Sequence, residues 1–267
     1  MTEATTAVRL RAILHGTHRT PEEKARDEER HPLETLSFFG IHENMHVVEI
    51  WPFFGWYSRI IAPLVKDHGR YMAAIFPPNN KQDYMNKQRQ DYIDLLERTP
   101  EVFGMPHIGD FGNGFYDYAP DNSADMIITI RNLHNWLWDS DYSGNKRPPY
   151  YQQVFASFLR ILKPGGILGV EQHRGDPNRL QDPFAKNLYV RQDYAIKLLK
   201  DAGFIFVGSS EVNANSKDTR DHPEGPLSLP PFLRGIPEAD KDKYIARLCL
   251  SWIPSLITFI SKKLCEP

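Results

Sequence analysis

Two spacings of apolar residues divide the chain. Between positions 46 and 211, short apolar runs alternate with stretches whose apolar residues recur every three or four positions. The first pattern predicts buried strands and the second amphipathic helices. HVVEIW (46–51), RYMAAIF (70–76), ADMIITI (124–130), ILGVEQH (167–173) and IFVGSSE (205–211) read as strands. Residues 55–69, 81–98, 149–162 and 191–204 read as helices. Pro63 lies inside the first of these and predicts a kink or an early break. KPGG (163–166) predicts a turn, and SLITFIS (255–261) alternates as a last strand. Residues 102–115 are expected to hold a short third strand and then a glycine-rich loop. Alternating strands and helices predict an α/β fold with a parallel sheet covered on both faces.

The first forty residues carry a different pattern. Thr20, Pro21 and Glu23 form a capping-box signature that opens a charged helix over 19–31. Pro32 is expected to interrupt it, and LETLSFF (33–39) reads as a short apolar helix stopped by Gly40. Residues 1–40 thus read as an N-terminal helical extension, and 41–267 as one α/β domain.

Composition narrows the function classes. With 41% hydrophobic residues the chain can bury a large core, and a net charge of −2 offers no general footprint for nucleic acid. No apolar run approaches the roughly 20 residues of a membrane span, and residues 1–30 hold no signal-type apolar core. A soluble, cytoplasmic protein is expected. Cys249 and Cys265 lack metal-ligand spacing and read as reduced structural cysteines. Ten scattered histidines show no ligand spacing either, and His42 and His46 straddle a loop–strand boundary, so no metal is expected.

The chemistry-bearing stretch is VVEIWPFFGW (47–56), an apolar strand, an acid and a turn with one glycine. A turn that holds a nucleoside needs φ > 0 and close backbone approach, which glycine supplies. Here Phe53 and Phe54 stand where glycines are expected.

Taken with LKPGGILGVEQH (162–173) and DAGF before a closing strand, this stretch resembles a class I S-adenosylmethionine-dependent methyltransferase. RHPLETLSFFGI (30–41), GWYSRIIAP (55–63), RNLHNW (131–136) and the stretch 218–223 resemble a group of uncharacterised bacterial members. The resemblance implies a Rossmann-like sheet, mostly parallel with an antiparallel last strand, and the cofactor across the carboxyl ends of its first strands. Glu49 is then expected to support the cofactor loop. Pro52 and Gly55 form the turn, and the Gly55 and Trp56 N–H groups face the methionine part. Adenosine is expected beside Ile75, Phe76, Asp110 and Phe111, and Arg131 belongs to the same binding set. The second strand ends AIFPP, without the acid that often holds the ribose in that superfamily.

Methyl transfer draws its electrophile from the cofactor, so the protein's part is to align the acceptor and, where needed, take its proton. Asn132 is expected to orient the acceptor or the cofactor carboxylate, and His134 to act as a base near neutral pH. Asn135, Trp136, Glu171 and His173 are the candidate substrate contacts, with Asp218 and His222 on a nearby wall. The expected products are S-adenosylhomocysteine and a methylated small molecule. A second reading is a degenerate methyltransferase fold that binds ligands or partners without methyl transfer. A nicotinamide-dependent oxidoreductase needs G-x-G-x-x-G after the first strand, and that motif is absent. Residues 244–260 are expected to finish the sheet or to form a homodimer interface.

Overall fold

The computed structural model describes residues 3–112, 114–140, 145–215, 218–229, 232–242 and 254–261. Both cysteines, Asn113, Pro230, Pro231 and residues 244–253 of the C-terminal apolar segment lie outside the described residues.

Four helices precede the sheet: α1 (Glu3–Leu14), α2 (Pro21–Ala25), α3 (Asp27–Arg30) and α4 (Pro32–Phe39). The predicted 19–31 helix is therefore two short ones, broken at Arg26. Its capping box is present, since Thr20 Oγ1 accepts from the Glu23 N–H and the Glu23 carboxylate accepts from the Thr20 N–H. Pro32 opens α4 at its first turn, where a missing N–H costs nothing, and Gly40 ends it at φ 75. Helix α1 was not legible, because its two arginines interrupt the apolar pattern; Leu10 and Leu14 nonetheless bury themselves.

The strands are β1 (His46–Ile50), β2 (Arg70–Ile75), β3 (His107–Asp110), β4 (Ala124–Ile130), β5 (Leu162–His173), β6 (Phe204–Ser210) and β7 (Pro254–Ser261). They form one sheet in the order β3-β2-β1-β4-β5-β7-β6, parallel except where β7 runs against β5 and β6. The predicted turn at 163–166 lies within β5, where the pairing with β4 shifts register between Ala124 and Met126. The part of the C-terminal segment that is described thus finishes the sheet.

Helices α5 (Ser58–Val65), α6 (Asp83–Arg98), α7 (Pro100–Phe103), α8 (Leu133–Leu137), α9 (Tyr151–Ile161) and α10 (Gln192–Asp201) connect the strands. Alternation along β1 sends Val48 and Ile50 into one core with Phe155 and Phe158 of α9, and Val47 into the other with Ile60 and Ile61 of α5. Each such side chain, fully buried, contributes about 1.5–3 kcal/mol. Pro63 does not break α5, which runs on to Val65. Proline leaves the carbonyl four residues back without its donor, and the His18 ring fills that role, with Nε2 2.9 Å from Arg59 O.

Candidate active site at the carboxyl ends of the strands

Strand order reverses at β1, with β2 and β3 on one side and β4 and β5 on the other. Open α/β sheets bind ligands in the crevice outside the carboxyl ends at such a switch point. Most residues singled out from the motifs lie at the carboxyl ends of β1 to β5 or in the loops that follow them, and Asp218 and His222 come after β6.

The turn after β1 has the backbone of a glycine turn. Trp51, Phe53 and Gly55 sit at φ 46, 51 and 72. Left-handed backbone costs an L-residue about 1–2 kcal/mol, so two large side chains hold a conformation that suits glycine. The positions that depart from glycine are thus Trp51 and Phe53; Phe54 has ordinary φ and an exposed ring. Gly55 does not turn its N–H to the crevice as expected, since that group donates to Pro52 O at 2.9 Å. A Cβ on Gly55 would lie 2.7 Å from Leu95 of α6, so this residue packs against the helix. The Trp56 ring points away from the crevice, its Nε1 donating to Glu23 O and the Arg30 guanidinium stacking 4.4 Å from its centroid.

Above β1, β2 and β3 the crevice is filled with rings. The Trp51 indole is 4% exposed, its centroid 4.7 Å from Phe76, 5.5 Å from Phe111 and 6.0 Å from Trp136. Its Nε1–H donates to Phe111 O at 3.2 Å. Gly112 passes beneath it, and a Cβ there would meet Trp51 Cζ2 at 2.8 Å. The cavity left between Trp51, Pro52, Phe53, Phe76, Gln88 and Arg89 measures about 10 Å³, room for no more than one water. Asp110 is held at the edge by Arg89, whose Nη1 donates to Asp110 Oδ1 and to Phe76 O, both at 2.6 Å.

The polar atoms here nevertheless suit a ligand. Asn132 Oδ1, Trp136 Nε1 and Gln88 Oε1 are sealed from solvent without a partner among the described residues. Buried polar groups are normally paired, and leaving one unpaired costs about 1–3 kcal/mol. Turn backbone, flanking rings and polar atoms are thus of the kinds that hold a nucleoside, while the Trp51 ring fills the space beside them.

Above β4 and β5 the site is polar and closed. Asn132 is fully buried and its Nδ2 donates to Ile50 O at 2.9 Å, tying the β4 loop to the residue before Trp51. His134 Nδ1 lies 3.1 Å from Gln172 Nε2, and burial pushes its pKa down to about 4. Expected to titrate near neutrality, the ring is uncharged there instead, because among the described residues only the Gln172 hydrogen bond offsets desolvation. Asn135 lies inside the same short helix, its N–H donating to Asn132 O, and Trp136 is core.

Glu171 anchors a second group. Its Oε2 accepts from Tyr57 Oη at 3.2 Å and from Asn213 Nδ2 at 3.4 Å, and Arg131 Nε lies 3.4 Å from Oε1. Burial raises this carboxyl to about 7 against the pull of Arg30, 9% exposed on α3. Glu49 is also raised to about 7 by burial, against the Tyr71 and Ser58 hydroxyls that donate to it at 2.6 and 2.7 Å and the charge of Arg30. It lies under the turn, against the side of α5 and α6.

His173 neighbours His134 and Tyr189, with ring centroids 6.1 and 6.2 Å away. Tyr189 Oη donates to Asp218, whose Oδ1 is 2.8 Å from His222 Nε2. The loop stretch 218–223 therefore meets the end of β5. Tyr57, Arg30 and Asn213 were missed from sequence. Their shared partner Glu171 lies more than a hundred positions from two of them, and nothing in local spacing links them.

No family model and no curated protein matches the chain. Solved structures do. A SAM-dependent methyltransferase from Aquifex aeolicus is 18% identical with TM-score 0.51, covering 71% of this chain and 87% of that one. The [4+2]-cyclase SpnF is 14% identical with TM-score 0.56, covering 87% and 80%. Phosphoethanolamine N-methyltransferase 2 of Haemonchus contortus, in complex with S-adenosyl-L-methionine, is 13% identical with TM-score 0.54, covering 88% and 53%. At these identities the likeness speaks for architecture, and the chain has the Rossmann-like fold of the class I methyltransferases.

Proposed function

We propose that the chain is an S-adenosylmethionine-dependent methyltransferase acting on a small-molecule acceptor. The observation that carries this reading is the turn after β1. It keeps a glycine-turn backbone at residues 51, 53 and 55, at the switch point of a methyltransferase-type sheet. Trp51 and Phe53 hold that conformation against their own backbone preference.

Phe76 and Phe111 would flank the base, Asp110 would accept from it, and Asn132 Oδ1 would take a polar group of the cofactor. When bound, S-adenosylmethionine supplies an electrophilic methyl group on its sulfonium. The chain's own part is to exclude water and orient the acceptor. Glu171, with a carboxyl near 7, is better matched than His134 to hold an acceptor proton at neutral pH. A near-neutral chain and α2–α4 packed over the turn favour a small acceptor rather than a nucleic acid.

Calorimetric titration of the full chain with S-adenosylmethionine and S-adenosylhomocysteine tests the reading. One-to-one binding of both is expected. A folded sample that binds neither at millimolar concentration contradicts it and leaves the ligand-free scaffold reading standing.

A further inference from the structure

The ring-filled crevice holds one side chain that behaves like a ligand. Trp51 is a flat bicyclic heteroaromatic with one ring N–H. It lies against Phe76 and Phe111 at centroid distances of 4.7 and 5.5 Å, and its N–H donates to the Phe111 carbonyl. Ile75, Phe76, Asp110 and Phe111 are the residues expected beside the cofactor's adenosine. A purine base is a flat bicycle of similar size and can use the same contacts: the tilted ring of Phe76, the edge-on ring of Phe111 and a backbone hydrogen bond at residue 111.

Two independent observations separate this from ordinary core packing. First, Trp51 is at φ 46, where L-residues are strained, so its ring is not placed by a relaxed backbone. Second, three polar atoms around the slot are sealed without partners among the described residues: Asn132 Oδ1, Trp136 Nε1 and Gln88 Oε1. An indole offers a single donor and no acceptor, and it spends that donor on Phe111. A core evolved only for stability leaves few such atoms behind.

We propose that the Trp51 indole is the resident occupant of the base slot, and that it must leave before a nucleoside cofactor can bind. Trp51 then sets the cofactor's affinity. Apparent dissociation constants rise as the open fraction falls, so an indole that is mostly in place weakens binding in proportion. Asp110 is released at the same step only if Arg89 lets go, which places a second latch at the slot's edge. This inference rests on the methyltransferase reading above.

The test compares S-adenosylhomocysteine binding to the wild-type chain, W51G and W51F by calorimetry. It adds ¹⁵N-indole NMR of the wild type through the same titration. Glycine at 51 empties the slot and removes the backbone strain, so W51G is expected to bind at least tenfold tighter than wild type. W51F keeps a ring in the slot without the N–H and is expected between the two. In the wild type the Trp51 Nε1–H resonance, identified by its loss in W51F, is expected to shift at saturation. Equal affinity of wild type and W51G, or an unmoved Trp51 resonance at saturation, overturns the proposal while the cofactor reading stands. No binding by any of the three, all folded by circular dichroism, overturns both. If W51G does not fold, the W51F affinity and the wild-type resonance decide the matter by the same criteria.

Discussion

The two halves of the crevice are closed by different forces. Over β1, β2 and β3, rings fill the space, and Gln88 Oε1 at its edge has no partner among the described residues. Over β4 and β5, side chains close it by pairing: Asn132 to the β1 carbonyl, His134 to Gln172, and Glu171 to Tyr57, Asn213 and Arg131. Packing against rings is non-directional, and a ring can leave by rotating its side chain. A buried polar network has to be broken bond by bond, and each orphaned group is expensive. The difference assigns movement to the aromatic half and a fixed frame to the polar half.

Variants sharpen that contrast. Within the aromatic half, W136A is expected to cost about 4 kcal/mol in urea unfolding, as a fully buried ring lost from the core. W51G, nearly as buried, is expected to cost about 2 kcal/mol, because the turn gains back its strain. Equal costs for the two would erase the distinction between core ring and resident occupant. Within the polar half, E171Q is expected to cost only about 1 kcal/mol at pH 7, since burial already holds that carboxyl near 7 and the amide oxygen can still accept from Tyr57.

Smaller effects follow from protonation. The folded chain holds Glu49 near 7, against about 4.3 for an unfolded glutamate. Between these values the native state keeps a proton that the unfolded chain has released, so stability falls as pH rises through the window. E49Q still accepts from Ser58 and Tyr71, and is expected to lessen that fall in urea midpoints between pH 4.5 and 7. His134 acts in the opposite direction. With a folded value near 4 and an unfolded one near 6.5, its contribution grows as pH rises from 4 to 6.5. The smallest signal is its own titration: proton NMR is expected to show a neutral His134 ring down to about pH 5, and a midpoint near 6.5 contradicts its burial.

Most of the sheet was legible because strand and helix periods are local. HVVEIW, ADMIITI and ILGVEQH each declare a buried strand within six or seven residues. The turn at Lys163–Gly166 was not separable from β5, because pairing with Ala124 across the sheet decides it. Pro63 misled for a related reason, since the donor that rescues its helix comes from His18, some forty positions away. At the site, residue types were legible and directions were not. Pro52, Phe76, Phe111 and Asn132 gather at the crevice, yet Gly55 faces α6 and Trp56 faces the N-terminal helices. Sequence marked Phe53 and Phe54 as the anomaly, whereas backbone geometry moves it to Trp51 and Phe53, because positive φ cannot be read from residue type.

The most direct measurement is a crystal structure of the chain grown with S-adenosylhomocysteine. The expected result is the adenine lying between Phe76 and Phe111, with the Trp51 indole displaced and its hydrogen bond to Phe111 O broken. Ligand bound elsewhere, with Trp51 still in the slot, would contradict the role assigned to this crevice.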